Sequence, residues 1–366
     1  MMTIYISEPW RMFKRSRYVK KHGFKRFKGT PKNIAEQIIQ SCWNKEQNYF
    51  MVSSGHFCEF YSRDFGMCAE ALVKLGHRKK VIQTLDYALS HFKKHRRITT
   101  SISPKGICFD FPTYGADSLP FIIRAIKAAK AKQILKKYNT FLKKEISYYF
   151  KTVFDRKTNL VKEGAHFSSM KDYSKRNSSC YSNCMLSMLN DDLAALKFYN
   201  PFSKYKIRQS ILSTFWNGNY FYEDRSCEKT VTGDANTFPF WCGVTNSRMV
   251  FNLCMKSMEK ARLTKPFLLK YTAKKQKTAP AIWQELLAGD YERDTVWIHL
   301  GACFLDVISR FDKKKLKQFL AQYEANIKKY GNFLEVYDRN GKPFKTLFYV
   351  TDESMLWVSK YLALKK

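Results

Sequence analysis

Acidic residues are the minority charge in this chain, yet they recur at similar positions with aromatic neighbours. Asp64, Asp110, Asp117, Asp172, Asp234, Asp294, Asp352 and Glu353 each stand in a loop near the start of an apolar stretch. Phe60, Tyr61, Tyr114, Tyr181, Phe238, Trp241, Trp283, Tyr291, Trp297 and Trp357 are interleaved with them. Carboxylates grip hydroxyl groups and flat rings stack on sugar faces, so this mixture suits a carbohydrate pocket. Arg63, next to Asp64, adds a cation able to orient a sugar hydroxyl. Glycosidic bond hydrolysis needs two carboxyl groups in unlike surroundings: one keeps a proton for the leaving oxygen, and the other activates water or attacks carbon. A plainer reading stands beside this one. An Asp ahead of a helix is a common N-cap contributing about 1 kcal/mol, and this applies above all to Asp117 and Asp294. Trp297 and Trp357 fit a helix core equally well. Residue types alone leave the catalytic pair open.

Positioning such groups falls to a long-period repeat. Six times a loop rich in Gly, Asp, Ser or Pro leads into an apolar helical pattern, with starts at Asp64, Asp117, Ser178, Phe238, Asp294 and Asp352. Successive starts lie roughly 53 to 61 residues apart. These segments are apolar on nearly all sides and rich in small residues such as Ala69, Ala71, Gly301 and Ala302, as buried helices are. Between them run RKKVIQTLDYALSHFKKH, TFLKKEISYYFKTVF, KYKIRQSILSTFW and KKLKQFLAQYEANIKKY, apolar on one side and Lys-rich elsewhere. NIAEQIIQSCWNKE supplies a further outer helix ahead of the first buried one. The alternation predicts an all-α protein: an (α/α)6 toroid of six helical hairpins filling residues 31–366 as one domain, behind a basic segment at 1–30. Short β-hairpins are expected in rim loops such as SISPKGICFDFP and NFLEVYDRNGKPFKTLFYV.

Composition sets the outer bounds. The 366 residues are 45% hydrophobic and 16% aromatic, enough for a sizeable core and against intrinsic disorder. No apolar run approaches the roughly 18 residues of a membrane span, and the N-terminus lacks the apolar core of a signal peptide. A cytoplasmic protein with no membrane partner is expected. Net charge is +34, which raises nucleic acid as a partner, but Lys recurs in nearly every helical stretch and no nucleic-acid-binding module accompanies it. A Lys-rich solvated surface is the favoured reading. Of the ten cysteines, Cys180 and Cys184 share a helix face, but no metal-ligand spacing stands out. The cysteines read as buried thiols, and neither a metal nor another cofactor is expected.

In this arrangement the chain resembles the six-hairpin (α/α)6 glycosidases, most closely the amylo-α-1,6-glucosidase domain of glycogen-debranching enzymes. FYSRDFGMCAEALVKLG looks like that family's Arg-Asp segment opening the first inner helix, and YERDTVWIHLGACFLDVI its Asp-Thr-Val-Trp stretch. HFSSMKDYSKRNSSCYSNCMLSML resembles the segment carrying the general acid, with Met170 and Lys171 where the family has Trp and Met; the match places the acid at Asp172. GNFLEVYDRNGKPFKTLFYVTDESMLWVSKYL resembles the segment carrying the general base, which the match places at Glu335. The resemblance implies an inverting hydrolase acting on an α-glucosidic bond, with carboxylates roughly 6.5–9.5 Å apart. Arg63, Asp64, Asp117, Asp234, Trp283, Asp294, Trp297 and Trp357 would then bind the sugar. Lys171 would lower the acid's pKa if its ammonium faced Asp172. A sugar phosphorylase or invertase on the same fold, and a non-catalytic sugar- or polyanion-binding protein, are the alternatives.

Overall fold

The computed structural model describes residues 4–172, 174–273 and 291–366. Helix α1 (Ile4–His22) leads, and helices of two characters then alternate. The buried set comprises α3 (Ser62–Lys74), α5 (Ser118–Ala128), α8 (Cys180–Ala195), α10 (Phe238–Trp241), α12 (Ile298–Phe311) and α14 (Val358–Lys365). The one-sided set comprises α2 (Pro31–Ser41), α4 (Arg78–His95), α6 (Lys132–Lys137), α7 (Asn139–Thr152), α9 (Ile207–Phe215), α11 (Arg248–Lys260) and α13 (Lys313–Tyr330). Each buried helix packs on the next, α3 on α5, α8, α10, α12 and α14 in turn, and α14 returns to α3 to close the cycle. Outside it, α4 packs on α3 and α5, α9 on α8, α13 on α12, and α2 on α14.

Local sequence explains the division. Helix α4 buries Val81, Thr84, Leu85, Ala88, Leu89 and Phe92 at helical spacing and ends on Lys93, Lys94 and His95, where cations complement the helix dipole. Helix α12 is instead buried without interruption from Ile298 to Leu305. Close approach within the ring needs residues without a side chain. A Cβ at Gly66 of α3 would lie 2.4 Å from Phe121 Cβ of α5, and one at Gly301 of α12 would lie 2.7 Å from the Leu268 carbonyl oxygen.

Three buried helices start later or run shorter than the sequence pattern implies. The stretch around Phe238 yields a single turn, because Pro239 opens α10 and Gly243, at φ +75, ends it. Residues 296–297 pair as a strand with 336–337 before α12 begins. Residues 351–354 bond to neighbouring loops before α14 begins at Val358. The leading basic segment is helical over Ile4–His22. Short hairpins occur as expected, with 101–102 pairing 108–109 and 60–61 joining them as a third strand.

The capping reading of the rim acids does not hold. Asp117 heads α5 but makes no cap hydrogen bond, and Asp294 lies ahead of Trp297, which heads α12. Capping falls to Thr30, Ser179, Ser247 and Asp312. Substituting Gly66→Ala tests the close contact between α3 and α5. The gain in helix propensity is about 1 kcal/mol, but the clash is with the root of Phe121, which no rotamer change relieves. A net loss of about 1–3 kcal/mol is expected in denaturant unfolding; unchanged stability would contradict the packing.

Candidate active site

The site is built from two carboxyl centres. At the first, Arg63, near the head of α3, reaches across to α5 and to the loop before α8. Its Nε donates to Asp117 Oδ2 at 2.6 Å and its Nη2 to Asp172 Oδ1 at 3.2 Å. Tyr181 of α8 also donates to Asp117 Oδ2, at 2.7 Å. Ser168 Oγ lies 2.5 Å from both Asp172 Oδ1 and the Phe111 carbonyl oxygen. A hydroxyl has one proton to give. When it goes to Phe111, the Ser168 oxygen can accept a proton from a neutral Asp172, so the pair accommodates the acid form. Burial pushes the Asp172 carboxyl above its ordinary value, against the opposing pull of Arg63 and Ser168. The side chain nevertheless stays 23% exposed, open to a ligand. Lys171 turns away from this acid: its Nζ donates to Glu223 Oε1 at 2.5 Å and lies over the Tyr271 ring.

Glu335 forms the second centre, just ahead of the strand pair 296–297 and 336–337. Its Oε2 accepts from the Asp352 backbone N–H at 2.9 Å and the Tyr349 hydroxyl at 2.6 Å. Its Oε1 accepts from the Tyr291 hydroxyl. Three donors favour the charged form, and Oε1, with one bond, keeps the freer lone pair. Burial and the nearby Asp352 charge outweigh them and push Glu335 up to about 7. His56 Nε2 touches Tyr349 Oη at 3.2 Å, extending the network. Asp352 holds this corner by accepting the backbone N–H groups of His56 and Phe57 at 2.9 and 3.0 Å.

Aromatic side chains lead from the second centre to Asp64, the sequence neighbour of Arg63. Tyr291 packs edge-on against Trp297, Trp297 against His299, and His299 against Trp357, whose Nε1 donates to Asp64 at 2.9 Å. Burial pushes Asp64 up to about 6. Tyr271 lies 2.8 Å from His299 Nε2, and His299 Nδ1 has no hydrogen-bond partner among the described residues. Asp234 pairs with Arg176 at 2.7 Å. Burial alone would raise Asp234, but Lys171 and Arg176 hold it below the ordinary range.

Thus Arg63, Asp117 and Asp172 share one cluster, and Asp64, Trp297, Trp357 and Glu335 lie along one aromatic wall. Asp234 belongs to a neighbouring ion-pair cluster. Asp294 has a looser contact, with Arg339 at 3.7 Å, and joins neither carboxyl centre through the bonds above. Trp283 lies outside the described residues. The hydroxyl partners Tyr291, Tyr349 and Ser168, together with His56 and Arg176, were not singled out from sequence as site residues. Tyr291 alone carried a hint, as one of the rim aromatics.

Neither a family model nor a curated protein matches the sequence. Solved structures do share the fold. A rhamnosidase from Klebsiella oxytoca with rhamnose bound has a TM-score of 0.65 at 12% identity, over 91% of this chain. This chain spans 62% of that protein's length. A wild-type glycosidase matches with a TM-score of 0.65 at 12% identity, over 98% of this chain and 97% of its own. A GH63 mannosylglycerate hydrolase from Thermus thermophilus, in complex with Tris and D-glycerate, reaches 0.61 at 12% identity, over 92% of this chain and all of its own.

The raised Glu335 value has a consequence for stability. Folding lifts it from 4.5 to about 7, so the folded protein holds a proton that the unfolded chain releases. Its contribution therefore falls as pH rises through that window, by up to about 3 kcal/mol. Glu335→Gln is expected to gain stability relative to wild type between these pH values and to keep the gain above pH 7. Parallel pH–stability curves from denaturant titrations would contradict the raised value.

Proposed function

We propose that the closed helix cycle is an (α/α)6 toroid and that the chain is an inverting glycoside hydrolase acting on an α-glucosidic bond. Asp172 protonates the glycosidic oxygen, and Glu335 takes a proton from the attacking water. The observation that carries this reading is the unlike surroundings of the two carboxyls. Glu335 is ringed by three hydrogen-bond donors that favour its anion, whereas Asp172 lies beside a hydroxyl able to accept its proton. Both are buried enough for the protonated form to persist above the ordinary carboxylate range. The competent form carries the proton on Asp172 and the charge on Glu335, and the two titrate as a pair.

Around this pair, Arg63 and Asp64 offer a cation and a carboxyl to the hydroxyls of the terminal sugar. Trp297 and Trp357 form the stacking wall, and the Asp117 and Asp234 carboxylates hold the cations in register. The fold-sharing rhamnosidase, glycosidase and mannosylglycerate hydrolase support a sugar substrate. No step of this scheme calls for a metal or an organic cofactor.

Leaving-group chemistry separates the two roles. Fluoride departs without a proton, so Asp172→Asn is expected to keep most activity on α-glucosyl fluoride while losing at least about a hundredfold on trehalose, isomaltose or maltooligosaccharides. Glu335→Gln should lose both activities. The reverse pattern would exchange the roles, and two fully active variants would refute the pair. Proton NMR of the first-formed sugar should show the β-anomer. Release that requires inorganic phosphate would make the chain a phosphorylase.

A further inference from the structure

Helix α1 carries charge that the carbohydrate reading does not use. No acidic residue stands between Glu8 and Glu36, while Lys and Arg crowd that interval. The helix spends part of this charge inward. Arg11 donates to the His56 carbonyl and pairs with Glu59, Arg15 pairs with Glu353, and Ser16 Oγ accepts from the Val350 N–H at 3.1 Å. Ser16 and Val19 are buried, so this side is the face docked on the body. The opposite face presents Trp10, Lys14, Arg17, Tyr18 and Lys21, all exposed and spaced as one helical stripe. Trp10 is 55% and Tyr18 52% accessible, with Lys14 over the first ring at 5.3 Å and Arg15 over the second at 5.1 Å.

The stripe continues onto a neighbouring loop. Lys20 Nζ donates to the carbonyls of Thr346 and Leu347 at 2.9 and 2.5 Å, tying the end of α1 to the tip of the segment that follows Glu335. That tip exposes Leu347 at 76% and Phe348 at 42%, between the exposed Lys342 and Lys345 and the C-terminal end of α1. Two adjacent large apolar side chains aimed into water call for an explanation.

We propose that the outer face of α1 and the Leu347–Phe348 tip form a docking surface for an anionic lipid bilayer. Charge complementarity selects the occupant. Cations on a helical stripe meet anionic headgroups, while Trp and Tyr sit at the headgroup level, where amphipathic rings are favoured. The tip distinguishes a bilayer from a nucleic acid. Leu347 and Phe348 have no hydrogen-bonding groups and would gain little from a phosphate backbone, but they gain from entering the acyl boundary. The chain would lie on the membrane rather than cross it, since no described helix is long and apolar enough to span one. The inward contacts of α1 fall on loops 53–59 and 350–353, which hold the Glu335 corner, so docking would occur on the side that carries the candidate active site.

Flotation of the full chain with vesicles tests this without reading turnover, so it fails or succeeds independently of the hydrolase proposal. Vesicles of phosphatidylcholine mixed with phosphatidylglycerol should carry the protein at low salt, release it at high salt, and bind it far more than phosphatidylcholine alone. At about fivefold per cation, the triple variant Lys14→Glu, Arg17→Glu, Lys21→Glu should lose at least about a hundredfold in partitioning. The double variant Leu347→Ser, Phe348→Ser should lose about tenfold or more. All these side chains are exposed, and thermal unfolding should show both variants folded; if the triple variant does not fold, the double variant decides. The proposal is overturned if the wild-type chain does not float with anionic vesicles, or if the double variant floats as well as wild type. Duplex DNA binding that survives Leu347→Ser, Phe348→Ser, with no flotation, would make the face a nucleic-acid surface and overturn the proposal equally.

Discussion

One buried guanidinium holds the first half of the ring together. Arg63 starts from α3, Asp117 heads α5, Tyr181 lies in α8 and Asp172 precedes it, and all meet within hydrogen-bond reach. Removing a cation from water costs several kcal/mol, which only well-placed partners offset. Arg serves here because its planar fork can address two carboxylates at once, a geometry that a Lys ammonium does not reproduce. Two carboxyls share one cation. Asp117 holds the shorter bond to Arg63 and the Tyr181 hydroxyl besides. Asp172 holds the longer bond, and burial raises its carboxyl against the pull of that cation. The interaction that assembles the helices also positions Asp172.

The other half of the ring is organised by a short stretch of backbone. Asp352 gives its N–H to Glu335 and its carboxylate to the backbone of His56 and Phe57. Glu353 accepts from the Lys25 backbone N–H and pairs with Arg15. Ser354 adopts a positive φ of 58 and gives its N–H to Asn332. These residues could not serve the loops in this way and also lie within regular helix, which explains the late start of α14. The helix is shortened at the point where its leading residues are needed to hold Glu335.

What could be read from the sequence divides along the same physical line. Helices α4 and α13 declared themselves because their one-sided periodicity is local and faces solvent. The buried helices were visible as a repeat, but their starts were not, because Asp294 is followed by a strand paired with 336–337 and Asp352 bonds to Glu335 and to the 56–57 backbone. Arg63 was legible by residue type, and Asp172 and Glu335 through the resemblance to the six-hairpin glycosidases. Their hydroxyl partners were not: Tyr291 and Tyr349 lie 44 and 14 residues from Glu335, and only the folded chain brings them to it. Asp117 looked like a cap because a cap needs only local sequence, whereas its pairing with Arg63 spans 54 residues. Lys171, adjacent to Asp172 in sequence, is committed to Glu223 instead.

A surplus of +34 should by itself depress every carboxylate, yet Asp64 rises to about 6 and Glu335 to about 7. Distance and water decide the contest. The surplus lies mainly on exposed Lys side chains of the outer helices, and each such charge about 20 Å away contributes only ~0.2 kcal/mol through water, before screening over about 8 Å reduces it further. Loss of solvation costs several kcal/mol per buried ion. Among the interior cations, Arg63, Lys171, Arg176 and Lys360 are each matched by a carboxylate partner. Surface charge and acid chemistry are therefore decoupled. A basic exterior can accumulate on α1 and the outer helices without disarming the acids, which leaves the exterior free to select a partner of its own.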